Sequence, residues 1–202
     1  MSQEQTVYII DDDPAVRDSV SALVGSAGLK MQSFPSAESF LKEKHPNQSG
    51  CVVTDYRMLG MSGVELLEQI QRSDFPLPVI LISAFADVPL AVRAMEAGAV
   101  TILEKPCRDE QLLSAIRKGL IQDAQQQQAR ERKREIRQRL DTLTPEELDV
   151  MQKMVAGMLN KVIAGEMLIS LRTVETRRHR VFEKMQVGSL AELVRMVVEA
   201  GD

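Results

Sequence analysis

Tryptophan is absent from the 202 residues, and aromatic side chains make up only 3% of them. Proteins that grip single-stranded nucleic acid use aromatic platforms on which bases stack, so this composition argues against that role. Cysteine is nearly as scarce. Cys51 and Cys107 stand far apart, with no second cysteine near either, so neither a zinc site nor a disulfide framework is suggested, and both are read as reduced and structural. No apolar stretch approaches the roughly 20 residues that cross a bilayer, and the opening MSQEQ has no signal-peptide character. A cytoplasmic location without a membrane partner is therefore expected. The net charge of -4 is modest and 44% of residues are hydrophobic, which points to a globular, soluble chain of one or two domains.

What is present divides into three parts. Through about residue 119, short apolar runs alternate with amphipathic stretches. The runs TVYII, CVVTD, PVILIS and TILEK are rich in Val and Ile, and a weaker one, LKMQSF, comes second in order. Runs of this kind are expected of parallel strands covered on both faces. Helical spacing links Val16, Val20, Leu23 and Ala27; Val64, Leu67 and Ile70; Leu90, Ala94 and Met95; and Leu112, Ile116 and Leu120. Asp13 and Pro14 form a cap and first-turn pair, Ser36 is placed to cap a short helix, and Gly28 to end one. Strand and helix in alternation predict an α/β doubly wound, five-stranded parallel sheet.

From 120 to 140 the composition changes to LIQDAQQQQARERKREIRQRL, with strong helix formers and few apolar residues. This stretch reads as a solvated helical linker continuing the preceding helix. A dimerising helix is the alternative, but Ile136, Leu140 and Leu143 do not make a sustained heptad seam. Residues 141–202 predict a small all-α four-helix domain, with helices at roughly 146–156, 160–168, 171–186 and 189–200. Its first helix opens on a capping box of Thr144, Pro145 and Glu147.

In a doubly wound sheet, ligands sit beyond the carboxyl ends of the strands. Asp11 and Asp12 end the first strand, Asp55 the third, Ser83 the fourth, and Lys105 the fifth. Carboxylates crowded at one edge repel one another, and a divalent cation with oxygen ligands relieves them. Mg²⁺ suits the set better than Ca²⁺, because it needs only one or two carboxylates and keeps its waters. With an ammonium and a hydroxyl on the same edge, the group can surround a phosphoryl, with Asp55 as nucleophile.

In this order and spacing, IIDDDPAVR, VVTDYRMLGMSGVELL, LISAFAD and ILEKP resemble the receiver domain of two-component response regulators, over residues 5–119. The resemblance implies that Asp55 accepts a phosphoryl group from a histidine kinase. It further implies that Asp12 and Asp55 ligate Mg²⁺ directly, with Asp11 acting through water and the backbone carbonyl of Arg57 completing the set. Ser83 and Lys105 would contact the phosphoryl oxygens, and Asp13 would serve only as a helix cap. Three positions depart from the pattern: Leu59 stands where many receivers have Pro, Ile102 where an aromatic is usual, and Cys107 where Phe is common. Without Pro, the loop carrying Leu59 is expected to be less constrained in φ, and without the aromatic, the switch to be weaker or differently routed.

The second piece of chemistry is SLRTVETRRHRVFEKM. Wound as a helix, it places Val174, Val181, Phe182 and Met185 in an apolar stripe and Arg172, Thr173, Thr176, His179 and Arg180 opposite, with Arg177 and Lys184 on one flank. Residues 172–184 hold five Arg or Lys against two Glu, and a basic helix of this width fits the major groove of double-stranded DNA. Arg178 falls at the edge of the stripe, where it must snorkel or find an acid. LTPEELDVM, GMLNKVIAGEM and RTVETRRHRVFEKM resemble the helix-turn-helix module of the LuxR, FixJ and NarL class. By that resemblance, Glu175, Thr176 and His179 face base edges, and Thr173, Arg177, Arg180 and Lys184 face phosphates. Arg177 and Glu146 depart from the usual His and Arg.

The expected protein is a transcription factor, not an enzyme acting on an external substrate, whose phosphorylation shifts homodimerisation and DNA binding. Two rivals stand beside it. One is a metal-dependent phosphohydrolase, which leaves residues 141–202 unexplained; the other is an interaction platform whose DNA binding ignores phosphorylation.

Overall fold

The computed structural model describes residues 4–44, 48–85 and 87–201. The first three residues of MSQEQ, and Ala86 within LISAFAD, lie outside them. The chain divides into two compact units, Met1–Gln126 and Gln127–Asp202.

In the first unit, β1 (Thr6–Ile10), β2 (Lys30–Phe34), β3 (Gly50–Asp55), β4 (Val79–Ser83) and β5 (Thr101–Glu104) form one sheet. Its order is β2-β1-β3-β4-β5, and every pairing is parallel. The helices α1 (Pro14–Ser26), α2 (Ala37–Glu43), α3 (Gly63–Gln71) and α4 (Val88–Glu96) connect the strands, and α5 (Asp109–Leu140) follows the last. The strands alternate between two core layers. Val7 and Ile9 of β1 join Val24 of α1 and Leu112 and Ile116 of α5, whereas Tyr8 and Ile10 join Phe40 of α2 and Leu67 and Ile70 of α3. Central β3 and β4 are buried at every position, which is why they are apolar until their ends, where Thr54, Asp55 and Ser83 stand.

The local signals act as their chemistry requires. Asp13 accepts from the Ala15 N–H at 2.8 Å with Pro14 at the first helical position, and Ser36 and Ser39 cap α2 reciprocally. Gly28 follows α1 at φ 71°, a conformation that glycine adopts without strain.

Three burial expectations are corrected. β2 is exposed at its first four positions, because an edge strand has a neighbour on one side only. Met95 is 51% exposed while Leu90 and Ala94 are buried; five residues turn a helix by about 500°, which carries Met95 off the buried face. Asp123 lies within the stretch that reads as solvated, yet it is fully buried.

The second unit takes in the end of α5 and adds α6 (Pro145–Val155), α7 (Asn160–Glu166), α8 (Leu171–Met185) and α9 (Leu190–Gly201). Its core gathers Ile136, Val150, Met154, Ile163, Val174, Val181, Met185 and Leu193. Thr144 and Glu147 cap α6 reciprocally, with Pro145 at the first position.

Candidate functional site

From β1 the chain steps outward to β2 on one side and to β3 on the other, so the carboxyl ends of β1 and β3 flank the switch point where such sheets bind ligands. Asp11 directly follows β1 and Asp55 closes β3. Lys105 follows β5, and its Nζ lies 2.6 Å from Asp55 Oδ1 and 3.2 Å from Asp11 Oδ2. Residues 94 and 50 positions apart in the chain thus meet around one ammonium. Asp55 Oδ2 accepts from the Arg57 N–H at 2.7 Å, and Asp11 Oδ1 from the Asp13 N–H at 2.9 Å. Arg17 of α1 donates to the Asp11 carbonyl at 2.7 Å, fixing the backbone at the end of β1.

Burial decides the electrostatics. It pushes the Asp11 carboxyl above its usual range, and the charge of Asp55 adds to this, although the Asp13 N–H and Lys105 oppose it. Burial also disfavours the charge of Lys105, yet Asp55 and Asp11 together hold its ammonium above the ordinary lysine value.

Asp12 behaves differently from its neighbours. Its Oδ2 accepts from the Leu59 N–H at 3.0 Å. Leu in place of Pro lifts the restraint on φ in the loop after β3, but it also supplies an amide donor that proline lacks, and Asp12 engages it. Glu38 of α2 secures the same loop by accepting from the Met61 N–H at 2.9 Å. Hydrogen bonds from its own amide and that of Met61 hold the Glu38 carboxyl below its usual range. Nothing in the sequence marked this residue, since an acid in the first turn of a helix is ordinary. The loop also needs its glycines: a Cβ on Gly63 would lie 2.2 Å from the Asp55 carbonyl oxygen.

Ser83 is buried at the end of β4, but its hydroxyl turns into the following loop, donating to the Phe85 carbonyl at 2.9 Å and accepting from the Phe85 N–H at 3.2 Å. Among the described residues no three acids, histidines or cysteines converge as metal ligands. The donor set nonetheless suits Mg²⁺. It is all oxygen, only one or two carboxylates are needed, and an added cation would offset the charge that burial disfavours on Asp11. Asp13, outside this network except through its amide, is a cap alone. Asp13→Ala should lower stability by about 1 kcal/mol, read from thermal denaturation.

The second unit presents α8. Val174, Val181 and Met185 are buried and Phe182 packs against the same core, so the opposite side, with Arg172, Glu175, Thr176, His179 and Arg180, is exposed. Thr173 and Arg177 are half-buried, and the Ser170 hydroxyl caps the helix by accepting from the Thr173 N–H. Thr176 Oγ1 bonds the Arg172 carbonyl at 2.9 Å, and His179 Nε2 lies 3.7 Å from Glu183. Arg178 finds a ring instead of an acid, with its guanidinium 5.9 Å from the centre of Phe182. Lys184, expected at phosphates, is engaged within the module. It reaches Glu147 at 2.6 Å and the Thr142 carbonyl at 2.9 Å. Its partner Glu147, which the sequence identified only as a cap, is held below the usual carboxylate range, chiefly by Lys184.

Buried aspartates at the switch point of a parallel sheet, a lysine that reaches them from the end of β5, and a helical unit that exposes the basic face of α8 are together the features of a two-component regulator of transcription. Residues 7–117 match the response regulator receiver domain and residues 141–197 the bacterial regulatory proteins of the luxR family; the chain belongs to the two-component response regulators with a LuxR-type DNA-binding module. It is 41% identical over 201 residues to the transcriptional regulatory protein FixJ of Bradyrhizobium diazoefficiens, covering 100% of this chain and 98% of that one. It is 39% identical over 196 residues to the response regulator protein TodT of Pseudomonas putida, covering 97% and 86% respectively. The solved structure of the response regulator StyR superposes with a TM-score of 0.85 at 43% identity, covering 97% of this chain and 99% of that one.

Proposed function

We propose that Asp55 is the phosphoacceptor. One of its carboxylate oxygens attacks the phosphorus of a kinase phosphohistidine, a P–O bond forms as the P–N bond breaks, and the electron pair leaves with the imidazole. The observation that carries this reading is Lys105, whose ammonium bridges Asp55 and Asp11 at the carboxyl ends of β5, β3 and β1. Asp12, Asp55 and the Arg57 carbonyl are the residues to hold Mg²⁺, with Asp11 acting through water. When bound, the ion supplies charge neutralisation for the transferring group. Lys105 steadies the phosphoryl oxygens, and Ser83 joins it by exchanging its bond to Phe85 for one to the phosphoryl group. That exchange frees the loop ahead of α4; Phe85 in the loop and Val88, Val92 and Met95 on α4 are all at least half exposed. An apolar row of this kind on α4, which packs beside β5, is the surface we assign to homodimerisation.

In this reading residues 1–119 receive the phosphoryl group, 120–140 link, and 141–202 bind double-stranded DNA. Glu175, Thr176 and His179 face base edges, and Thr173, Arg177 and Arg180 face phosphates; Lys184, with two donors already engaged, adds charge at the edge. The protein acts in the cytoplasm on DNA and turns over no external substrate. Among the described residues no helix is long and apolar enough to cross a membrane. Beryllofluoride with Mg²⁺, which mimics the phosphoryl group on a carboxylate, should produce a dimer by light scattering and tighten binding to a genomic fragment library. Equal affinity and mass with and without it would reject the switch.

A further inference from the structure

The charge of the basic segment at the end of α5 has no part in the function proposed so far, which uses residues 120–140 only as a link. Residues 130–139 hold six Arg or Lys against two Glu, in a chain whose net charge is -4. The second unit orders this segment: Ile136 is 1% exposed in its core, Arg132 lies 3.6 Å from Glu199 of α9, and Arg139 donates to the Met185 carbonyl at the end of α8 at 3.3 Å. These three residues take up one side of the helix. At about 100° per residue, Lys133, Arg134 and Arg137 fall within a sector of about 100° on the other. Among the described residues none of these three cations makes an ion pair or hydrogen bond; Arg134 and Arg137 are exposed and Lys133 half-buried. Lys133 and Arg137 stand four residues apart, as do Arg130 and Arg134. Like charges at that spacing oppose helix formation. The helix therefore carries a repulsive stripe on a rigid support.

We propose that Lys133, Arg134 and Arg137 form a second phosphate-binding surface, contacting the DNA backbone beside the footprint of α8. The proposal rests on the DNA-binding reading of the second unit. It commits to DNA by charge complementarity: the stripe is cationic, carries no base-reading amide or acid, and belongs to the compact unit that contains the basic helix α8. Contacts of this kind raise affinity for any sequence and add to its salt dependence, by about 0.9 in the log–log slope for each phosphate neutralised.

The test compares the full-length wild type, Arg180→Ala, and the triple variant Lys133→Gln/Arg134→Gln/Arg137→Gln on a random-sequence duplex that overhangs the footprint, across a salt series. The triple variant should bind more weakly, with a slope shallower by about 2 to 3, while Arg134→Lys/Arg137→Lys keeps the wild-type slope. Removing like charges should leave its melting temperature no lower than that of the wild type, which verifies folding. If the wild type binds and Arg180→Ala weakens it, but the triple variant keeps the full slope, the stripe proposal alone falls. If the wild type binds no duplex at any salt, the DNA-binding reading falls with it. A shallower slope accompanied by a changed oligomeric mass would place a second copy on the stripe and overturn the assignment to DNA.

Discussion

Asp55→Asn should reduce phosphoryl uptake from acetyl phosphate and Mg²⁺ to background, read as the absence of any added phosphate mass, and leave DNA binding indifferent to beryllofluoride. An amide oxygen is not a nucleophile at neutral pH, and neither the phosphoryl group nor its mimic forms a stable bond to it. The geometry predicts that the fold survives. Asn still offers one carbonyl oxygen, which can accept from either the Arg57 N–H or Lys105 but not both, and Lys105 keeps Asp11 at 3.2 Å. The substitution also removes one of two buried like charges, so the net change in stability should stay within about 1 to 2 kcal/mol. Phosphorylation of Asp55→Asn at the wild-type rate would reject Asp55 as nucleophile. Lys105→Met separates the two roles of the site: it leaves the nucleophile in place but sets Asp11 and Asp55 face to face without their shared cation.

Strand ends were legible because burial imposes Val and Ile up to the residue where the chain leaves the sheet, so that Asp55, Ser83 and Lys105 stood out as polar punctuation. Which partner each polar group takes was not legible, because that depends on contacts between distant segments. Lys105 sits between Asp11 and Asp55, whereas the sequence showed only that all three share an edge. Asp12 meets Leu59 across 47 positions, and the exchange of proline for leucine, read as a loss of restraint, supplied the amide that made the contact. Lys184 and Arg178 show the same limit on a helix. Periodicity gives the side on which a residue lies, but the pairing of Lys184 with Glu147 and the seating of Arg178 on Phe182 are decided by how α6 and α8 pack and by which rotamers fit. Composition misled outright at Asp123, where a run of glutamines suggested solvent on every side of the helix.

That buried aspartate carries the largest stability prediction. Asp123 of α5 is fully buried, and one of its oxygens, Oδ2, accepts from Ser49 Oγ at 2.7 Å, the Gly50 N–H at 2.8 Å and Gln5 Nε2 at 3.1 Å. Its negative charge also contributes, after burial, to pushing the neighbouring Cys51 thiol up to about 12. Asp123→Ala would leave a hydroxyl and an amide buried without an acceptor, at roughly 1 to 3 kcal/mol each, so the receiver unit should lose about 3 to 5 kcal/mol, a large share of the roughly 5 to 15 kcal/mol that holds such a domain together. Asp123→Asn keeps one acceptor oxygen and should lose less. Gly50 opens β3 and Asp55 closes it, some 16 Å apart at about 3.3 Å per residue, so phosphoryl uptake measured at low temperature should survive both substitutions while the denaturation midpoint falls. An unfolding free energy within about 0.5 kcal/mol of the wild type would mean that the three donors find other partners and that the carboxylate does not anchor α5. Retained stability together with lost uptake would instead tie Asp123 to the chemistry at the far end of the sheet, which its position beside the first residue of β3 argues against.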